Sequence, residues 1–349
     1  MLSLAFPLSF FASAMSQPSV ASPPTESELQ KLSKEDLIRL LLTLTPTTGS
    51  SATSGASATS NEVTDFSTEP FSRHTLFDED EVPTKILFDG HTLTPEHLVA
   101  IGYNRDIEVD LSPLAWTRVR RSRQIVDNIL ARKETVYGIN TGFGNFASVR
   151  INDDQLRTLQ TNLIRSHAAG VGEPLSVEQA RMLLALRINV LAKGHSGIRP
   201  ESLQTLLQCL RKNCISRVPC QGTVGASGDL APLSHLALGI LGEGQMWDPR
   251  TERYADAAAV LAAHDIEPLR LEAKEGLALI NGTQLIVALG CEAVVRASRL
   301  ARQADVVAAL TVEALRGSTT PFHAFIHQAR PHRGQVWQPL IYHGKNEQR

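Results

Sequence analysis

The sequence predicts a mainly α-helical chain with a small amount of β structure near the start of its folded part. Three observations carry this. Residues 283–315 place Leu285, Leu289, Ala293, Val294, Ala297, Leu300, Ala301, Ala304 and Val307 at three- and four-residue spacing, the period of one helix face. The alanines on that face let helices approach closely, which suits the inside of a bundle. Four more segments read as helices, at 111–132, 154–165, 176–193 and 200–211, the last opened by Pro200 in its first turn. The one clear extended signal is early: Ile86 to Gly90, with Thr92, reads as a short strand pair.

In chain order, residues 1–44 form an N-terminal extension. Leu2 to Ala12 is apolar and Ala12-Ser13-Ala14 resembles a cleavage site, but no positive charge precedes the run and the first lysine is Lys31. The run is read as a tail, Met15 being an alternative start, with secretion as the minor reading. Ser33 caps a short apolar helix, with Asp36 at its third position. Residues 45–62 are mostly Thr, Ser, Gly and Ala. Such a stretch buries too little apolar surface to offset the entropy of ordering and is read as a linker. Asp78-Glu79-Asp80-Glu81 is read as a solvated acidic loop, the linker running to residue 83. The main domain occupies 84–335, and a tail, 336–349, follows without helical period, interrupted by Pro339 and Gly344.

Composition narrows the function. The 349 residues are 42% hydrophobic and 20% charged, enough for a sizeable core in one large domain or two. A net charge of −2 and 5% aromatics argue against a nucleic-acid partner. There is no run of 18 or more uninterrupted apolar residues, so no membrane span is expected. Cys209, Cys214, Cys220 and Cys291 lack the spacing of a zinc site and are read as reduced thiols in a cytoplasmic protein, with no metal.

The most informative stretch is 222–235, Gly-Thr-Val-Gly-Ala-Ser-Gly-Asp-Leu-Ala-Pro-Leu-Ser-His. Gly225 and Gly228 free the backbone to bend around Ala226-Ser227, Asp229 is placed to act as acid, base or cap, and Pro232 sits just inside a helix start. Taken alone, the tripeptide reads first as a helix N-cap, Ser227 followed by Asp229 in a first turn. Three other segments stand beside it. Residues 137–144, Tyr-Gly-Ile-Asn-Thr-Gly-Phe-Gly, form a glycine-rich loop with neither the lysine of a P-loop nor the dinucleotide spacing. Residues 161–175 carry Ser166-His167, and residues 275–284, Glu-Gly-Leu-Ala-Leu-Ile-Asn-Gly-Thr-Gln, carry Asn281-Gly282, which by itself is a plain turn. Residues 187–200, Arg-Ile-Asn-Val-Leu-Ala-Lys-Gly-His-Ser-Gly-Ile-Arg-Pro, are assigned to packing and chain direction.

Together and in this order, these segments resemble the ammonia-lyases that act on aromatic amino acids, from about Ile86 to about Gln335. The resemblance implies an ammonia-lyase-like fold: an N-terminal domain bearing the reactive loop, plus the first part of a central long-helix bundle. It implies that Ala226, Ser227 and Gly228 cyclise with loss of water to 4-methylidene-imidazol-5-one (MIO), an electrophile built from the chain, with no metal or diffusible cofactor. Tyr137 then takes the β-proton, His167 holds the substrate ring, Asn281 holds the carboxylate or the cyclised group, and Asp229 supports it. A histidine at 167 suits an imidazole, so the implied substrate is L-histidine and the product trans-urocanate, with tyrosine or phenylalanine as the alternative. The family works as a homotetramer and continues through further helices that carry a tyrosine, an arginine, a phenylalanine and a glutamate of the site. These have no counterpart in this chain. The competing reading is therefore an inactive chain serving as a subunit or interaction partner.

Overall fold

The computed structural model describes residues 83–332, except 143, 144, 146–148 and 153. The expected helix at Ser33, the linker, the acidic loop and the tail lie outside the described residues. Two units are distinguished, and the first comprises residues 70–297. Its centre is the helix Val177–Ala192 (α4 in chain order), buried on nearly every side through Ala180, Met182, Leu183, Leu184, Ala185, Ile188, Leu191 and Ala192. A helix buried on nearly all sides belongs in a core, and its two buried arginines, Arg181 and Arg187, are held there by hydrogen bonds. Its start was legible: Ser176 accepts from the Gln179 backbone, and the Gln179 side chain accepts from the Ser176 backbone, a capping box.

Around it, β1 (Lys85–Phe88) runs parallel to β2 (Glu108–Leu111), and the crossover between them is α1 (Pro95–Tyr103). This corrects the expected strand pair. Thr92 is no strand residue, and Leu111 ends β2 rather than starting a helix, because parallel neighbours need a crossover and cannot form a tight hairpin. The next helix, α2 (Pro113–Ala131), is capped by Ser112 with Pro113 in its first turn. It is followed by α3 (Leu156–His167), two residues later at each end than expected. Then come β3 (Val171–Pro174), α4, α5 (Pro200–Arg211), β4 (Ile215–Ser216) and β5 (Pro219–Gln221). After these lie α6 (Leu230–Ile240), β6 (Gln245–Asp248), β7 (Arg253–Asp256), α7 (Ala257–Ala263) and α8 (Glu275–Ile280).

The sheets are small: β3 pairs with β5, and β6 lies between β4 and β7, all antiparallel. β5 leads straight into the Gly222–Gly228 loop, and α6 begins just after it. The long helix α9 spans Gln284–Ala314, as its period predicted. Its residues to Ala297 belong to the first unit. In the second unit, residues 298–332 are described: the rest of α9, a 3₁₀ turn (Thr320–Phe322) and α10 (Ala324–Gln328).

Two sequence expectations meet the structure here. The four cysteines are free thiols, with Cys209 and Cys214 buried; burial pushes the Cys214 thiol up to about 11. Residues 275–314 are long and apolar enough to cross a membrane by length and composition, although no uninterrupted apolar run exists. Of the most apolar window, 44% is buried within the protein.

Candidate active site

The loop from Gly222 to Asp229 is held by its own side chains. Thr223 Oγ1 lies 3.1 Å from both the Gly228 carbonyl and Asp229 Oδ1, and accepts from the Gly225 N–H at 3.2 Å. One hydroxyl thus ties the two ends of the tripeptide. Gly228 has φ +81°. A Cβ there would collide with the Gly282 carbonyl oxygen, so only glycine brings these two backbones so close. Ala226 and Ser227 are exposed at the crest.

Asp229 is fully buried and occupies the N-cap position of α6, yet its side chain makes no cap bond. It accepts from Thr223 on one oxygen and, at 3.0 Å, from the Ile286 N–H in the first turn of α9 on the other. Its own N–H donates to the Gly282 carbonyl at 2.7 Å. The N-cap alternative for Ser227 does not hold, because the N-cap position falls two residues later, at Asp229, and the buried carboxylate there is committed to α9.

Asn281 and Gly282 follow α8. Asn281 is exposed, and its carbonyl accepts from Arg187 at 2.6 Å. The start of α8 is locked by Glu275, fully buried, which takes the Arg199 guanidinium (2.9 Å) together with the backbone N–H groups of Arg199 and Glu272. Lys274, at φ +77°, precedes the helix; burial holds its ammonium below the usual lysine range. Its Nζ stands 3.4 Å from where a side chain on Gly138 would begin, and Leu277 of α8 fills the adjoining space. The Tyr137–Gly138 turn therefore rests on α8, with the Tyr137 ring 58% exposed.

His167 ends α3. Its Nδ1 lies 2.9 Å from the Leu163 carbonyl, an acceptor only, which assigns the proton to Nδ1 in the neutral ring. Nε2 is then a lone-pair acceptor, with no hydrogen bond among the described residues. α3 packs on α6 and α8, and Gln160 of α3 accepts from the Gly276 N–H at 2.9 Å. Three residues past His167, the Gly170 N–H donates to His235 Nε2 of α6 at 2.9 Å. Burial, then the nearby Arg217 charge, hold the His235 pKa below 6.5.

The structure thus brings the loop of Ala226, Ser227, Gly228 and Asp229 against Gly282, Asp229 through a direct backbone bond and Gly228 through close approach. The Tyr137 turn and α3, which ends at His167, both rest on α8, and α3 also packs on α6. No hydrogen bond links the side chains of Tyr137, His167, Ser227 and Asn281 among the described residues. Sequence reasoning missed Thr223, His235 and the role of Arg187, whose partners lie far away in the chain; the Thr223 hydroxyl within the motif was the one readable signal. Among the described residues, no cluster of His, Cys, Asp or Glu could hold a metal. The residues present fit the MIO group: Gly228, at φ +81°, lets the loop bend close to Gly282, and Ser227 is exposed.

Comparison with known proteins bears on the family of the chain. Residues 93–339 match the family model of the aromatic amino acid lyases. The chain is 56% identical over 262 residues to histidine ammonia-lyase of Homo sapiens, covering 75% of this chain and 40% of that protein; the Bos taurus protein gives the same figures. The crystal structure of histidine ammonia-lyase from Trypanosoma cruzi superposes with a TM-score of 0.69 at 51% identity, over 72% of this chain and 49% of that one. The chain thus spans less than half the length of these relatives. It belongs to the aromatic amino acid lyase family, as a homologue of the histidine ammonia-lyases.

Proposed function

We propose that this chain carries the MIO-forming half of an enzyme that eliminates ammonia from L-histidine to give trans-urocanate. The observation that supports it most is the loop itself, with Gly228 pressed onto Gly282 and Asp229 buried behind it. When formed, the MIO group supplies an electrophile for the substrate amine, which no ordinary side chain offers. Ser227 contributes the methylene carbon, and its exposure leaves that carbon open to the substrate. Tyr137, exposed on its turn, takes the β-proton. His167 presents Nε2 as an acceptor for the imidazole N–H of the substrate, a donor that phenylalanine lacks. Asn281, exposed after α8, offers its amide to the carboxylate.

Assembly into a homo-oligomer, with the family's tetramer as the expected form, and a cytoplasmic setting belong to the same proposal. The exposed Ile286, Val287 and Val294 on α9 favour assembly. The test is urocanate formation, followed by its ultraviolet absorbance, by this chain alone and mixed with a full-length relative whose own Ser-to-Ala variant is inactive. Activity in either mixture, lost with Ser227→Ala, supports the reading. No urocanate from either, with the chain folded, favours the alternative of an inactive subunit.

A further inference from the structure

Arg187 lies on the central helix α4, 2% exposed, and no carboxylate among the described residues pairs with it. Burial brings its guanidinium down to about 10, which still leaves it charged at neutral pH. A buried charge without an opposite charge is costly and persists where hydrogen bonds compensate it. Its bonds converge on one place. Nη2 donates to the Ala278 carbonyl at 2.6 Å, and Nη1 to the Asn281 carbonyl at 2.6 Å and to Gln284 Oε1 at 2.8 Å. The first two are carbonyls at the C-terminal end of α8, where a cation is favoured. The third opens α9. Arg187 therefore fastens the turn between α8 and α9 to the core. That turn holds Gly282, whose oxygen accepts the Asp229 N–H and crowds Gly228.

We propose that Arg187 is the positioning residue for cyclisation, holding the Asn281–Gly282 turn as the rigid platform against which the Ala226–Gly228 backbone is bent. The inference rests on the reading that this loop forms MIO. In that reaction the Gly228 nitrogen bonds to the Ala226 carbonyl carbon. The Ala226 oxygen leaves as water with the protons of the Gly228 and Ser227 nitrogens, leaving a double bond from that carbon to the Ser227 nitrogen. A second water takes the Ser227 hydroxyl and its α-proton, leaving the methylene. No oxidant or reductant is needed. What is needed is a nitrogen held close to a carbonyl carbon, and small misplacements of such pairs are expensive in rate. A platform free to move would let the loop relax.

The experiment is the mass of the Ser227 peptide from the full chain in wild type, Arg187→Met, Arg187→Lys and Gln284→Leu, with far-ultraviolet circular dichroism and thermal unfolding on the same samples. The expected result is a wild-type peptide lighter by two waters and, in folded Arg187→Met, roughly ten- to a hundredfold slower cyclisation. Arg187→Lys keeps the charge but not the three-way reach and rescues only part. Gln284→Leu keeps Arg187 and slows the step less. Full cyclisation at the wild-type rate in folded Arg187→Met overturns the inference. If that variant does not fold, the same result in both Arg187→Lys and Gln284→Leu overturns it. An unmodified wild-type peptide is a different outcome, which sinks the underlying reading and the inference with it.

Discussion

The backbone N–H of Asp229 donates to the carbonyl oxygen of Gly282 at 2.7 Å, joining two segments fifty-three residues apart. One end of that bond belongs to the loop with Ala226, Ser227 and Gly228, the other to the turn with Asn281. Asp229 adds a second tie through its carboxylate to the Ile286 N–H. Besides its own Thr223 bonds, the loop is therefore held from outside, by the junction of α8 and α9.

Gly228→Ala tests the close approach. The added methyl meets the Gly282 oxygen, and alanine resists φ +81°. The expected cost is about 1–3 kcal/mol of stability, and cyclisation is expected to stop. Thermal unfolding and the mass of the Ser227 peptide check both.

Thr223→Val removes the hydroxyl that serves Gly228, Asp229 and the Gly225 N–H while keeping the shape. A loss of about 1–2 kcal/mol is expected, with slower cyclisation. Thr223→Ser should restore most of both, as denaturant unfolding and peptide mass would report.

Glu275→Ala breaks a fully buried carboxylate from Arg199 and from two backbone N–H groups. Leaving the guanidinium without its partner is expected to cost about 3–5 kcal/mol. Because α8 carries Asn281, amide exchange across 275–282 should rise with it.

His235 predicts an acid-sensitive contact. Its Nε2 accepts from Gly170, so only the neutral ring fits, and its folded pKa lies below the ordinary 6.5. The unfolded chain then binds the proton first as pH falls. The stabilisation is complete above pH 6.5 and is lost as pH falls from there through the folded value. His235→Gln, whose amide oxygen also accepts, should flatten that part of the stability profile. An unchanged profile would remove His235 from the account.

The long helices were legible because their signals are local. Ser176 and Gln179 form a capping box three residues apart, Pro200 opens its helix, and the spacing from Leu285 to Val307 runs without a break. The two- to four-residue strands β3 to β7 were not legible, since such segments carry no measurable alternation and are fixed by partners elsewhere. β1 was found, but its partner was not, because Glu108–Leu111 lies beyond a whole helix. At the candidate site, the bend of the Gly222–Gly228 loop was readable from its glycines. The buried state of Asp229, the hold of His235 on Gly170 and the reach of Arg187 to carbonyls 91 and 94 residues away depend on packing that no local pattern encodes.

The measurement that tests the central claim most directly is the mass of the Ser227 peptide released from the purified, folded chain. The account predicts a peptide two waters lighter than its sequence, and one restored to ordinary mass less one alanine-for-serine oxygen in Ser227→Ala. A peptide of unmodified mass from a folded chain would contradict it, showing that the bent loop, with its glycine and buried aspartate in place, does not cyclise.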